Sequence, residues 1–429
     1  MDQFKKVDLA SGVEGFSICT DRFKTSRISV NMFVPLRKET VSANALLSCL
    51  LTRATRKYPT YTHLNAKLDE LYGAALYGDV AKVGDMQMLK FVIAVLDDKY
   101  TLNGEVISGD ATELLLSMIF DPLLNDEGLF DEKDFESEKR LLVERIKGEI
   151  NEKRIYAIKR TEGEMCKNEP YGLPKYGTLE DAQALTNADV VNALKYAVDN
   201  AFIRVNVISE SYPEAVFQSV SEFFKDKKRT VTQKDITKKH IPNDELIQIS
   251  EKMDVTQAKL CMGFSADFND DLQSRINARV TADLFGGGPY SRLFKTVREE
   301  QSLCYYCAAR INLKKRILMV DSGILEENKE KAYNGILEQL SVLQQGKFDE
   351  SELLASKMAL MDSAKTVCDT PAELDGWYTA YALYDTAVTT DEFVEKINNV
   401  TKQDVIDIAN SIKLDTVYFL GSENFEKGE

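Results

Sequence analysis

Apolar positions alternate from Ile28 through Val30, Met32 and Val34, the period of a half-buried strand. Val41 to Lys57 then carries Leu46, Leu47, Leu50 and Leu51 at helical spacing and predicts a helix with one apolar side. The same order returns later in the chain. Ala258, Leu260, Met262 and Phe264 predict a strand, and Leu272 to Phe285 a helix. Both copies continue in step. Leu64 to Leu71 predicts a helix running into two strands, Gly73-Ala-Ala-Leu-Tyr and Met88 to Val95; Ser291 to Gln301, Leu303 to Ile311 and Ile317 to Ile324 repeat that order. Two helices follow in each copy, over Gly109 to Phe120 and Glu132 to Lys167, then Lys329 to Gln345 and Glu350 to Cys368. A helix at Asn187-Ala-Asp-Val-Val-Asn and a strand over Ile203 to Ile208 close the first copy; Thr401-Lys-Gln-Asp-Val-Ile and Thr416 to Leu420 close the second.

A period this long makes the chain a tandem repeat. Strands and helices are segregated rather than alternating, which predicts an α+β fold of two tandem homologous domains, each an antiparallel sheet packed with helices. Phe224 to Asp244 interrupts the pattern. It holds Lys225, Lys227, Lys228, Arg229, Lys234, Lys238 and Lys239 with almost no apolar periodicity and predicts a solvated connector. The expected domains are therefore 1–224 and 245–429, with a basic linker at 225–244.

Composition narrows the function classes. The chain has 429 residues, 44% of them apolar, enough for two sizeable cores. A formal net charge of -15 leaves no broad basic surface for phosphates, so nucleic acid is not an expected partner. No run of about 18 apolar residues predicts a membrane span, and no apolar stretch follows Lys5 and Lys6 to suggest export. Seven scattered cysteines, an odd number, fit reduced thiols. The expected location is the cytoplasm.

Two motifs carry a resemblance. One is Leu284-Phe-Gly-Gly-Gly-Pro-Tyr-Ser-Arg-Leu-Phe followed by Val297-Arg298-Glu-Glu-Gln-Ser-Leu303-Cys-Tyr305; the other is Phe135-Glu-Ser-Glu138-Lys-Arg-Leu-Leu-Val-Glu144-Arg145-Ile. With the tandem repeat, they make the chain similar, over essentially its full length, to the M16 peptidases (pitrilysin/insulinase-like, mitochondrial-processing-peptidase-like). The resemblance implies a LuxS/MPP-like metallohydrolase fold, its paired halves enclosing a clam-shell chamber. Active members hold zinc through His-x-x-Glu-His on one helix face and a Glu from a later helix. Here Asn44, Leu47 and Ser48 stand at the first three positions and Arg145 at the last, with Glu144 beside it. The chain has only His63 and His240, both expected at the surface, so that motif cannot be assembled. Glu138 matches another acidic position of the family helix.

The resemblance also implies that Arg298 and Tyr305 correspond to the pair that positions the substrate carbonyl and stabilises its oxyanion. A guanidinium stays charged at any working pH and a phenol can donate, so neither needs metal to act. The implied function is that of a non-catalytic subunit of a bacterial M16 zinc peptidase. It would bind no cofactor itself and would pair as a heterodimer with a His-x-x-Glu-His-bearing homologue that carries the zinc and hydrolyses the peptide substrate. The alternative is a catalytically inert peptide-binding or scaffold homologue, using an edge strand near Gly73 to Val80. Two weaker motifs are given ordinary roles. Cys304-Tyr-Tyr-Cys307 lies in a predicted strand, whose period sends residues three apart to opposite faces. Gly286-Gly287-Gly288-Pro289 predicts a helix C-cap and stop. Trp377, Tyr378, Tyr381 and Tyr384, at helical spacing, predict core or inter-domain packing, with chamber lining as the alternative.

Overall fold

The structure is a computed structural model that describes residues 3–231 and 234–423. The outermost residues of both expected domains, and positions 232 and 233 of the expected linker, lie outside the described residues. The first sheet contains β1 (Gln3–Ala10), β2 (Val13–Cys19), β3 (Thr25–Pro35), β4 (Ala75–Val83), β5 (Met86–Leu96) and β6 (Phe202–Ser209), in the order β1-β2-β6-β3-β5-β4. The second contains β7 (Ile247–Met253), β8 (Ala258–Ala266), β9 (Cys304–Asn312), β10 (Ile317–Ile324) and β11 (Ile412–Ser422), in the order β7-β11-β8-β10-β9. The α+β architecture is as expected, but neither sheet is wholly antiparallel. β2 runs parallel to β6, and β7 parallel to β11. In each case the pair is joined by a long excursion rather than a hairpin, and such a connection permits parallel pairing.

Helices α1 (Lys38–Leu50), α2 (Tyr61–Glu70), α3 (Ile107–Phe120) and α4 (Glu132–Gly148) precede α5 (Lys153–Met165), α6 (Leu179–Ala184), α7 (Asn187–Asn200) and α8 (Glu214–Phe224). Later come α9 (Leu272–Gly286), α10 (Lys329–Gln344), α11 (Glu350–Thr366), α12 (Pro371–Ala380), α13 (Thr390–Asn398) and α14 (Lys402–Ser411). No described helix is long and apolar enough to cross a membrane. The predicted helix over Glu132 to Lys167 is two helices, broken by a short turn at Glu149–Asn151.

That break marks a change of unit. One compact unit gathers the chain up to Lys147, Leu173–Ile236 and Val367–Val388; the other gathers Gly148–Gly172, Thr237–Thr366 and the chain from Thr389. Each unit thus takes one helix from the other sequence half. In the first, Ile28, Val30 and Met32 of β3 face the main core with Leu46 and Leu47 of α1 and Leu115 of α3. The opposite face of β3 presents Arg27, Ser29 and Asn31, all buried, and α12 lies against it. Asp375 of α12 pairs with Arg27 (3.0 Å) and Lys90 and accepts from Ser29 (2.8 Å) and Asn206 (3.0 Å). Tyr378 packs its ring 5.1 Å from Phe16, and the Trp377 indole donates to the Val388 carbonyl at 2.7 Å, so these two are core while Tyr381 and Tyr384 are half-buried.

In the second unit α5 covers the face of β8 and β11 opposite the helices of its own half. Ala157, Cys261, Met319 and Tyr418 form an apolar layer there. A side chain at Gly263 would put its Cβ 2.7 Å from the Met165 sulfur, so the glycine sets how closely α5 approaches.

The basic connector is less solvated than expected. Arg229 donates to the carbonyls of Val198 (2.8 Å) and Ala201 (2.5 Å), Lys234 pairs with Glu14, and His240 is buried. Lysines and arginines bury their stems and donate from their tips, so a run of them can be bound to backbone while lacking apolar periodicity.

Candidate functional site

In the first unit, α1 and α4 position Asn44, Leu47, Ser48 and Arg145, the residues expected at the zinc-ligand positions. Asn44 is buried and donates to Gln87 Oε1 at 2.9 Å, Leu47 is fully buried, and Ser48 donates to the Ala45 carbonyl at 2.8 Å. Arg145 places its guanidinium 5.4 Å from the Tyr176 ring centroid, and Glu144 is exposed. Glu138, the other acidic position, pairs with Arg53. β4 closes the remaining space. A Cβ at Gly78 would lie 2.1 Å from the Ser48 carbonyl oxygen, so strand and helix are in backbone contact at the aligned position. Zinc requires three protein donors converging at about 2.0 to 2.3 Å. An amide, an aliphatic side chain, a hydroxyl bonded to its own helix and a guanidinium do not fit it.

Arg298 and Tyr305 belong to the second unit. Arg298 lies in the last turn of a π-type helix, Leu293–Glu300, whose end is fixed by Leu303 donating to the Val297 carbonyl at 3.0 Å. Ser302 turns the chain at φ +53°, a left-handed conformation uncommon outside glycine, and β9 begins two residues later. The glycine run supports this turn. A Cβ at Gly286 would sit 2.5 Å from the Ala309 nitrogen, and none of the three glycines has a positive φ. Gly286 is explained by the close approach of α9 to β9, and Gly287 is the expected C-cap, in a right-handed rather than a left-handed conformation. Arg292 braces the helix, bonding Gln339 at 2.8 Å and Glu352 at 2.9 Å.

β9 opens with a bulge. Gly323 pairs with Tyr306 but Ile324 pairs with Cys304, leaving Tyr305 as the extra residue. Tyr305 is 58% exposed, and among the described residues its hydroxyl has no partner. The Arg298 side chain is 38% exposed and pairs with its neighbour Glu299 at 3.4 Å. The same bulge overturns the expectation for Cys304 and Cys307. The inserted residue brings both to the buried side, where the Cys307 thiol hydrogen-bonds Cys304, lowering the Cys304 pKa, with help from the Arg298 charge, and raising that of Cys307.

The second unit also holds a polar cluster that sequence reasoning missed, built around the histidine expected at the surface. His240 Nδ1 lies 2.6 Å from Glu169 Oε1 and 3.8 Å from Cys166 Sγ, while Nε2 faces Asp415 at 3.3 Å. Asp415 is itself fixed by the Asn243 backbone (2.8 Å) and side chain (2.9 Å). The buried Lys315 ammonium pairs with the other Glu169 oxygen at 2.7 Å. Burial alone would lower the His240 pKa, but Asp415, Cys166 and Glu169 outweigh it and raise it to about 11. Burial would raise Glu169, yet His240 and Lys315 hold it at about 2. The available signal was the position of one of only two histidines inside a lysine run.

Known proteins share the sequence and the fold. The Peptidase M16 inactive domain matches residues 186–360. The chain is 31% identical over 412 residues, covering 95% of itself and 96% of the relative, to the Probable inactive metalloprotease YmfF of Bacillus subtilis (strain 168). The chain belongs to the M16 peptidase family, as an inactive homologue. Among solved structures, a conserved protein from Enterococcus faecalis V583 superposes with TM-score 0.90 at 24% identity, covering 99% of this chain and 100% of that one. A peptidase M16 inactive domain from Pseudomonas fluorescens superposes with TM-score 0.79 at 13% identity over 99% and 100% of the two chains.

Proposed function

We propose that this inactive M16 homologue acts as the non-catalytic subunit of a heterodimeric cytoplasmic zinc peptidase and lends Arg298 and Tyr305 to the active site of a His-x-x-Glu-His-bearing partner. The observation that carries this reading is Tyr305. A bulge holds an aromatic side chain out of a strand between the buried Cys304 and the half-buried Tyr306, with its phenol unpaired among the described residues and Arg298 in the adjoining helical turn. A structural tyrosine at such a position would bury its ring and pair its hydroxyl. Phenol and guanidinium are both suited to a developing oxyanion, and both would act on a scissile carbonyl held by the partner's metal.

The test is reconstitution. This chain is combined with the M16 homologue that co-purifies from native cells, and peptide hydrolysis is followed. Arg298→Ala with Tyr305→Phe should lower the turnover of the pair roughly a hundredfold or more, with the heterodimer intact by gel filtration. Unchanged turnover would rule out the contribution in trans. Recovery of the chain without any such partner would favour the inert peptide-binding reading, which β4 supports as an open sheet edge with every second residue of Ala75–Asp79 exposed.

A further inference from the structure

The buried cluster of the second unit brings together a thiol, a carboxylate and an imidazole. Their donor atoms lie within 4.8 Å of one another, and they come from separate pieces of chain: Cys166 and Glu169 just beyond α5, His240 from the connector. Cys166 is 1% exposed, so a substrate carbonyl cannot reach its sulfur, and a nucleophilic Cys-His-Asp reading fails on access. The donor set suits a metal instead. Thiolate, imidazole and carboxylate are the zinc ligands of proteins, and a histidine that binds metal through one nitrogen is usually held by a carboxylate at the other. Asp415 does this at Nε2, and its own oxygens are held by Asn243.

We propose that Cys166, Glu169 and His240 form a buried structural site for one zinc-like divalent cation, with Asp415 positioning the imidazole. Tetrahedral zinc with ordinary bond lengths separates sulfur from nitrogen by about 3.6 Å and nitrogen from oxygen by about 3.4 Å. The sulfur to Nδ1 distance of 3.8 Å is already close to that. Only Glu169 Oε1 must withdraw from its 2.6 Å contact with Nδ1, by somewhat under about 1 Å. Its side chain sits in the turn before the Pro170–Gly172 helical segment and is the least buried of the three. Lys315 keeps Oε2, while Oε1, which also accepts from the Ile241 backbone N–H at 3.2 Å, has its second lone pair for the metal, and a water completes the fourth position. Charge balances. As Zn²⁺ enters, the thiol proton and the Nδ1 proton leave for solvent, so two positive charges replace two and the low-dielectric pocket gains no net charge. The metal would pin the connector to α5 and β11, stabilising the folded chain by binding it alone.

The experiment uses the full chain, tag removed, stripped with chelator and loaded with Zn²⁺ or Co²⁺. Expected are about one equivalent of metal retained through gel filtration and a near-ultraviolet cobalt-thiolate band. Cys166→Ser should abolish the band, Asp415→Asn should weaken affinity roughly 10- to 100-fold, and Cys304→Ser with Cys307→Ser should retain both metal and band. Zinc X-ray absorption of the wild-type protein keeps the proposal testable if a variant fails to fold. One sulfur in the first shell supports it; two sulfurs would assign the metal to Cys304 and Cys307 and overturn it. No retained metal, or a Cys166→Ser protein that binds as the wild type does, would also overturn it.

Discussion

The two units solve one problem with opposite charge. Each sheet has a second face that is covered by a single helix from the other sequence half, α12 on the first and α5 on the second. On the first sheet the face is cationic and the helix brings the acid: Arg27 and Lys90 receive Asp375. On the second the sheet is acidic and the helix brings the cations. Arg154 reaches the buried Asp321, and Arg160 reaches Glu251 at 2.6 Å. α5 follows α4 directly in the chain and could fold back on the first sheet, but its arginines would then meet Arg27, Lys90 and Arg204. Like charge against like charge is a device for rejecting the wrong partner, and the pairs at Asp375, Asp321 and Glu251 fit each helix to the sheet it covers.

The sharpest way to break the comparison is Asp375→Ala, which leaves Arg27 and Lys90 facing each other in a dry layer. A loss of about 3–5 kcal/mol is expected from urea denaturation, a large part of an ordinary domain's stability. Gly263→Val attacks the apolar interface instead, driving a side chain into Met165, and should cost about 1–3 kcal/mol. Arg154→Ala leaves the buried Asp321 without its partner and should cost about 1–3 kcal/mol, below Asp375→Ala because Arg154 is itself more than a third exposed. The smallest effect is the first part of an acid titration. Burial would raise the Asp375 pKa, but Lys90, Arg27 and Asn206 together depress it. A depressed carboxylate contributes stability above its unfolded value of about 3.9 and loses it as pH falls through the folded value. Little should change between pH 7 and 5, and a steep loss should follow below about pH 4. Asp375→Asn should lack that steep component, measured as the difference in urea midpoint between the two proteins.

Periodicity made one face of each sheet legible. Ile28, Val30 and Met32 alternate as a strand with one apolar side must, and the structure buries them with the α1 leucines as expected. The intervening Arg27, Ser29 and Asn31 look like a solvent face in sequence, because their burial depends on Asp375, more than three hundred residues away. The turn at Glu149–Asn151 was hidden for a related reason, since charged residues on both sides suit either helix. The lack of a His-x-x-Glu-His motif could be read because absent imidazoles are a matter of composition. The Cys166, Glu169 and His240 cluster could not, as two of its residues end a helix and the third sits in what reads as a solvated run. Cys304 and Cys307 share a face through a single inserted residue, which pattern counting at period two cannot register.

The helix exchange also sets a timetable for synthesis. When Ile236 leaves the ribosome, the first unit still lacks Val367–Val388, roughly 130 residues later, or on the order of ten seconds at about 5–20 residues per second. Until then its uncovered face shows water Arg27, Lys90, Arg204 and Asn206 together with the apolar Phe16, Phe33, Met88 and Phe202. The second sheet never waits in this way, for α5 is made before any of its strands.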